Sequence, residues 1–101
     1  MKGFLSTLLL LFVCVAFSFA QQFIVATYNI RYDASGDVGN LWKDRYPHLV
    51  QLIRFHGFDI FGTQEGLKHQ LEDIQKNLPG YTYIGVGRDD GKDKGEHAAI
   101  F

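Results

Sequence analysis

The stretch that most constrains this chain is Phe58-Asp59-Ile60-Phe61-Gly62-Thr63-Gln64-Glu65, an apolar run that ends abruptly in Gln-Glu. A run this short, rich in β-formers and closed by Gly66, reads as a buried strand over 58–64. A carboxylate at the tip of such a strand is costly to bury without a partner such as a cation. A second run, Phe23-Ile24-Val25-Ala26-Thr27-Tyr28-Asn29, has the same shape and ends in a side chain that offers oxygen to a metal. One helical segment separates the two. The pattern is a βαβ unit, which predicts parallel strands and a right-handed crossover. Adjacent strands would bring Asn29 and Glu65 to one carboxyl edge, where open α/β sheets bind ligands.

The rest of the chain fits around that unit. A loop dense in Gly, Asp, Ser and Asn follows Ile30. Asp44 is expected to cap a helix with Pro47 in its first turn, and Gly57 to end it. Leu49, Val50, Leu52, Ile53 and Phe55 supply its buried face. A second helix is expected over 67–78, with Leu67, Leu71, Ile74 and Leu78 at helical spacing and Pro79-Gly80 as its stop. Residues 81–86 read as a third strand, 87–95 as a polar loop, and 97–101 as a strand that has just begun. No repeat, linker or low-complexity tract divides the chain, so one incomplete α/β domain is expected.

The first twenty residues stand apart. Lys2 is a positive start, Leu8 to Phe17 is apolar, and Ser18-Phe19-Ala20 places small residues where a signal peptidase reads. This predicts a secretory signal at 1–20, cleaved after Ala20, and a secreted or periplasmic protein. The uncharged run 3–20 is also just long enough for an uncleaved anchor, but the small-residue exit and short apolar core favour cleavage, after which no stable membrane span remains. The leader carries the one cysteine, Cys14, and Lys2, so its loss moves the net charge from −1 to −2. An exported chain without disulfides relies on its core or on a metal, and near this length the core is marginal. The balanced charge excludes a general claim of nucleic-acid binding.

Glu65 and Asn29 suit a hard cation. Magnesium takes oxygen ligands, keeps several waters, and needs one or two protein carboxylates. It polarises phosphoryl oxygens and offsets transition-state charge. The competing reading makes Glu65 a solvated residue at a helix start, where negative charge is favoured, and on spacing alone that reading is the commoner one.

The strings ATYNIRYD, LWKDRYPHLVQLIRFHGFDIFGTQE and GVGRDDGKDKGE together resemble the endonuclease/exonuclease/phosphatase superfamily, in particular its secreted bacterial members. The resemblance runs from Phe23 to Phe101. It implies the amino-terminal portion of a four-layer α/β/β/α sandwich, deoxyribonuclease I-like and incomplete, in residues 21–101. It implies a metal-dependent phosphoester hydrolase using Mg2+, with Mn2+ as an alternative. Asn29 would be the strand-end Asn of the metal and phosphate site, Glu65 the magnesium-binding Glu, and Glu96 an acid that orients a catalytic His. Gln64 would support Glu65, while Arg31 and Asp33 flank the site. The family also uses an Asp-x-Asn pair, a terminal Asp-His pair and a further His, none of which is found here. The fragment alone is therefore expected to bind a cation poorly and to hydrolyse nothing. Nucleic acid, a phospholipid headgroup and a sugar phosphate all fit as substrate, and a monomer is expected. The alternative function is a non-catalytic secreted binding module on the same scaffold.

Other candidates carry less. His48, His56 and His69 read as surface or helix-end residues, because no second ligand sits at useful spacing. His97 reads as packing. Asp89, Asp90 and Asp93 lack the closing Glu of an EF-hand, and Gly85-Val86-Gly87 lacks the third glycine of a dinucleotide fingerprint. Trp42, Tyr28 and Tyr32 can stack on a base or sugar, with packing as their default role.

Overall fold

The structure, a computed structural model, describes residues 1–16 and 20–101. Lys2–Ala16 is helical (α1). Part of the expected leader and its cleavage box lies outside the described residues. Among the described residues, no helix is long and apolar enough to cross a membrane.

The βαβ unit is present. Strand β1, Val25–Asn29, pairs in parallel with β2, Ile60–Gly66, so that Val25 faces Ile60 and Asn29 faces Gln64. The crossover is α2, Trp42–His56. β2 then leads through α3, Lys68–Asn77, to β3, His97–Ile100, which lies antiparallel on the far side of β2. The sheet order is β1-β2-β3.

Each element has a local cause. Asp59 pins the entry to β2, because its carboxylate accepts the Ile24 N–H at 2.7 Å while its own N–H reaches the Ile24 carbonyl at 2.8 Å. α2 ends where Gly57 turns left-handed at φ 60° and returns its N–H to the Ile53 carbonyl, a conformation that glycine adopts without steric cost. α2 begins at Trp42, two residues before the expected cap. Asp44 makes no side-chain cap bond and instead lies in the first turn, where its charge suits the helix dipole. Pro47 consequently falls inside the helix, on its exposed side, and removes one intrahelical bond.

One face of the sheet is covered by α2 and α3. Ile30, Leu49, Val50, Ile53, Phe61, Leu71, Ile74, Leu78, Ala99 and Phe101 form the core with Trp42. Its centre is Phe61, which stacks on Phe101 at 4.8 Å between ring centroids and meets Tyr81 edge-on at 5.4 Å. Two expected core residues of α2 are not buried. Leu52 is partly exposed and Phe55 is 85% exposed, because the stripe 49/50/53 turns these two positions away from the sheet.

Among the described residues, no layer covers the other face. Val25, Ile60, Ile84 and Ile100 share it through the strand register and are 44–73% exposed. This half-covered sheet is part of an α/β/β/α sandwich, with one helical layer and one sheet in place. The expected third strand at 81–86 does not form. Only isolated bridges, Ile84 to Ile100 and Gly87 to His97, join it to the sheet. Gly85 and Gly87 press their backbone against 98–99 and Lys94, too close for a regular ladder of side-chain-bearing residues.

Candidate functional site at the carboxyl edge

Asn29 and Glu65 meet. The Asn29 Nδ2 donates to Glu65 Oε1 at 2.7 Å. The cause lies in an irregularity of β2. Phe61 and Thr63 alternate into the core, and strict alternation would send residue 65 there too. Between Thr63 and Gly66 the β2–β3 register slips by one residue, and Glu65 adopts φ 63°. This bulge turns the carboxylate out to solvent and gives the core position to Gly66. Glycine fits that position without displacement, since a Cβ there would lie 2.9 Å from Ile30 Cδ1 and 3.0 Å from Leu71 Cδ2 and would push these side-chain ends aside. Bulges beside functional sites commonly re-aim a side chain in this way.

The partner loop is shaped to receive the carboxylate. Arg31 has φ 59°, and together with Glu65 it is the whole set of non-glycine residues with positive φ among the described residues. Its turn brings the Arg31 N–H to Asn29 Oδ1 at 2.9 Å and the Tyr32 N–H to Glu65 Oε2 at 3.3 Å. These bonds fix which way the Asn29 amide faces. Its oxygen accepts from Arg31 and its nitrogen donates to Glu65, and a flipped amide would set oxygen against carboxylate. Asn29 therefore orients Glu65, and its own oxygen, which accepts only from Arg31, keeps a second lone pair free.

The Asn29 amide first, then the Tyr32 N–H and the nearby Arg31 charge, hold the Glu65 carboxyl below the usual carboxylate range. The group is ionised and solvent-facing. Each of its oxygens accepts one hydrogen bond, which leaves lone pairs for a cation. Among the described residues no group of three or more His, Cys, Asp and Glu gathers. The donor set is one carboxylate with open coordination. That fits Mg2+, which retains water and shares its shell with substrate phosphate, and does not fit a closed structural site.

Glu96 faces the same cleft, a hollow of about 540 Å³ lined by Gln64, Glu65, Gly85, Val86, Arg88, Glu96, His97 and Ala98. It pairs with Arg88, whose Nη1 lies 2.6 Å from Glu96 Oε2. Arg88 was not a sequence candidate, and its place beside Glu96 depends on the loop fold at 87–96. Gln64 turns to Thr27, donating to its hydroxyl at 3.1 Å, and its side chain makes no hydrogen bond to Glu65. Arg31 pairs with Asp37 at 2.8 Å. Asp33 meets His69 at 2.8 Å on the exposed side of α3. His97 is buried, with Nδ1 against the Gly95 carbonyl, which is a packing role. Asp90 accepts the N–H groups of Lys92 and Lys94 and shapes its own loop. The backbone donor at Tyr32 was invisible in sequence, because a side-chain search does not register a peptide N–H.

The chain thus presents one helical layer and one sheet of an α/β fold, with a re-aimed carboxylate at the carboxyl edge. An endonuclease/exonuclease/phosphatase family protein from Bacteroides thetaiotaomicron is 58% identical with a TM-score of 0.76, over 78% of this chain and 30% of that one. A mannosyl-6-phosphatase from the same organism is 57% identical with a TM-score of 0.77, over 79% of this chain and 31% of that one. An endonuclease/exonuclease/phosphatase protein from Bacteroides vulgatus is 49% identical with a TM-score of 0.73, over 74% and 29% respectively. Over this matched three quarters of its length, the chain belongs to the endonuclease/exonuclease/phosphatase family. It spans about 30% of the length of these solved relatives. No family profile matches the chain, and no curated protein does.

Proposed function

We propose that these residues form the ion-carrying side of a Mg2+-dependent phosphoester hydrolase, with Mn2+ as a substitute. The observation that carries this reading is the Glu65 carboxylate, turned out by a bulge and held ionised by Asn29 and the Tyr32 N–H. A bound divalent ion would supply charge compensation at a phosphoryl oxygen. Glu65 would hold that ion, Asn29 would orient Glu65, and Glu96 would border the substrate cleft. The reaction is in-line attack of water on phosphorus. Activation of the water falls to residues outside these 101, so the chain by itself turns over no substrate. The relative that is a mannosyl-6-phosphatase supports a phosphomonoester on a sugar as the first substrate to try. Residues 1–20 are read as an export signal, so the mature protein would act as a monomer in the periplasm or outside the cell.

The test is an assay of the full-length protein on sugar 6-phosphates, DNA, RNA and sphingomyelin, with Mg2+ and with EDTA. Release of phosphate that needs Mg2+ and is lost in Glu65→Ala supports the reading. Binding of a ligand that persists in Glu65→Ala, with no turnover of any ester, would establish the non-catalytic module instead.

A further inference from the structure

The left-handed Arg31 is gripped from two sides by residues to which neither the sequence nor the relatives assign a role. Its carbonyl accepts from Gln70 Nε2 at 3.0 Å and from Arg45 Nη2 at 3.2 Å. The two donors come from different helices, α3 and α2. A carbonyl has two lone pairs, and here both are used. The grip extends to the neighbouring residues. Arg45 Nη1 reaches the Ile30 carbonyl at 2.6 Å, and its Nε reaches Asn40 at the other end of the loop, also at 2.6 Å. Gln70 Oε1 accepts the Asp33 N–H at 3.2 Å and the Leu67 N–H at the start of α3 at 2.9 Å.

Both side chains are themselves fixed. Gln70 is fully buried, and all its polar atoms are partnered. Arg45 lies over the Trp42 ring at 5.4 Å, and Trp42 Nε1 donates to Asp73 of α3 at 2.8 Å. A non-glycine residue in the left-handed region persists only where its surroundings over-determine it. Here the surroundings are those two side chains, and what they hold is the turn that aims the Tyr32 N–H at Glu65.

We propose that Arg45 and Gln70 are positioning residues that hold the Arg31 turn, and through it set the orientation of the Glu65 carboxylate toward a divalent ion. The inference rests on the ion-site reading above. It adds that helices α2 and α3 set the site's geometry through one shared carbonyl. Arg45 suits the task because its planar fork reaches three carbonyls at once, which a lysine ammonium does not reproduce.

The test compares Gln70→Leu and Arg45→Lys with Arg54→Ala in the full-length protein. Arg54 ties α2 to the end of α3 through the Asn77 carbonyl at 2.6 Å, away from the site. Mg2+ affinity is read by calorimetry, and the Tyr32 amide proton is followed by NMR without metal. The clamp variants are expected to bind Mg2+ about 10–100-fold more weakly, the usual effect of removing a residue that orients a ligand. Their Tyr32 amide resonance should move toward its random-coil position, while Arg54→Ala leaves both readouts unchanged. Should Gln70→Leu fail to fold, Arg45→Lys, which keeps the charge and the stem, decides alone. An unmoved Tyr32 resonance with wild-type Mg2+ affinity overturns the proposal. Glu65→Ala separates the two levels. If it retains Mg2+ affinity, the ion reading fails, whereas loss there with intact clamp variants overturns only the positioning role.

Discussion

Asn29 and Glu65, 36 residues apart in sequence, are joined by a 2.7 Å hydrogen bond from the amide nitrogen of one to the carboxylate of the other. The bond closes the carboxyl edge of two parallel strands. It depends on two left-handed residues facing one another, Arg31 in the loop and Glu65 in the bulge. Replacing Asn29 by Ala removes the donor and leaves the Arg31 N–H without its acceptor. On the proposed hydrolase function, this should lower turnover of the full-length protein about 10–100-fold, and Glu65→Ala by more. Steady-state rates across a Mg2+ titration check both, and Asn29→Ala should also raise the Mg2+ needed for half-maximal rate.

The same bonds set a pH response. Glu65 is held below its ordinary range in the folded state, by Asn29 first and Tyr32 second. A depressed carboxylate adds stability above its unfolded pKa, and that contribution is lost as pH falls through the folded value. The Glu65 carboxylate should therefore stay charged to lower pH than a free glutamate would. A carbon-detected NMR titration of Glu65 should show a midpoint below 4.5, the ordinary value, and Asn29→Ala should move it upward.

Two glycines should differ sharply on mutation to alanine. At Gly66 the new methyl meets the ends of Ile30 and Leu71, flexible tips that yield by small shifts. The cost should be about 1–3 kcal/mol, the range for mild overpacking. At Gly87 the methyl would overlap the Lys94 backbone, which has no such freedom. Gly87→Ala should cost more and displace the loop that bears Arg88 and Glu96. Urea melts rank the two, and the Arg88 and Glu96 resonances report the displacement.

Phe61→Ala removes the ring on which Phe101 stacks and which Tyr81 meets edge-on. Large-to-small changes at fully buried aromatics cost about 3–5 kcal/mol, comparable to the whole stability of a small domain. Near-UV circular dichroism should lose its fixed aromatic signal, and the thermal transition should broaden or vanish.

The βαβ unit was legible because its signals are local and strong. Two apolar runs ending in Asn29 and in Gln64-Glu65, and Gly57 behind α2, leave few alternatives. That Asn29 and Glu65 share one carboxyl edge followed from parallel pairing of neighbouring strands, while the hydrogen bond between them depends on the bulge. What the sequence did not disclose came from tertiary geometry. The reach of β2 through Glu65 to Gly66 required the bulge, which no pattern of alternation announces. The failed strand at 81–86 has strand-like composition, but Gly85 and Gly87 serve close backbone crossings with Ala98, Ala99 and Lys94. Phe55 looked buried because helical spacing alone does not tell which flank of a stripe meets the sheet. Arg45 and Gln70 were passed over because their partners are carbonyls in a distant loop.

Among the described residues, Val25, Ile60, Ile84 and Ile100 leave one side of the sheet wet, with β1 as an unpaired rim beside it. An apolar plane of this kind seeks cover in whatever is near, and identical chains are near in any concentrated preparation. The practical outcome is that solubility, more than chemistry, governs how this polypeptide behaves in isolation. Handling it dilute, or seating a charged residue at Ile84, is the route to a tractable sample.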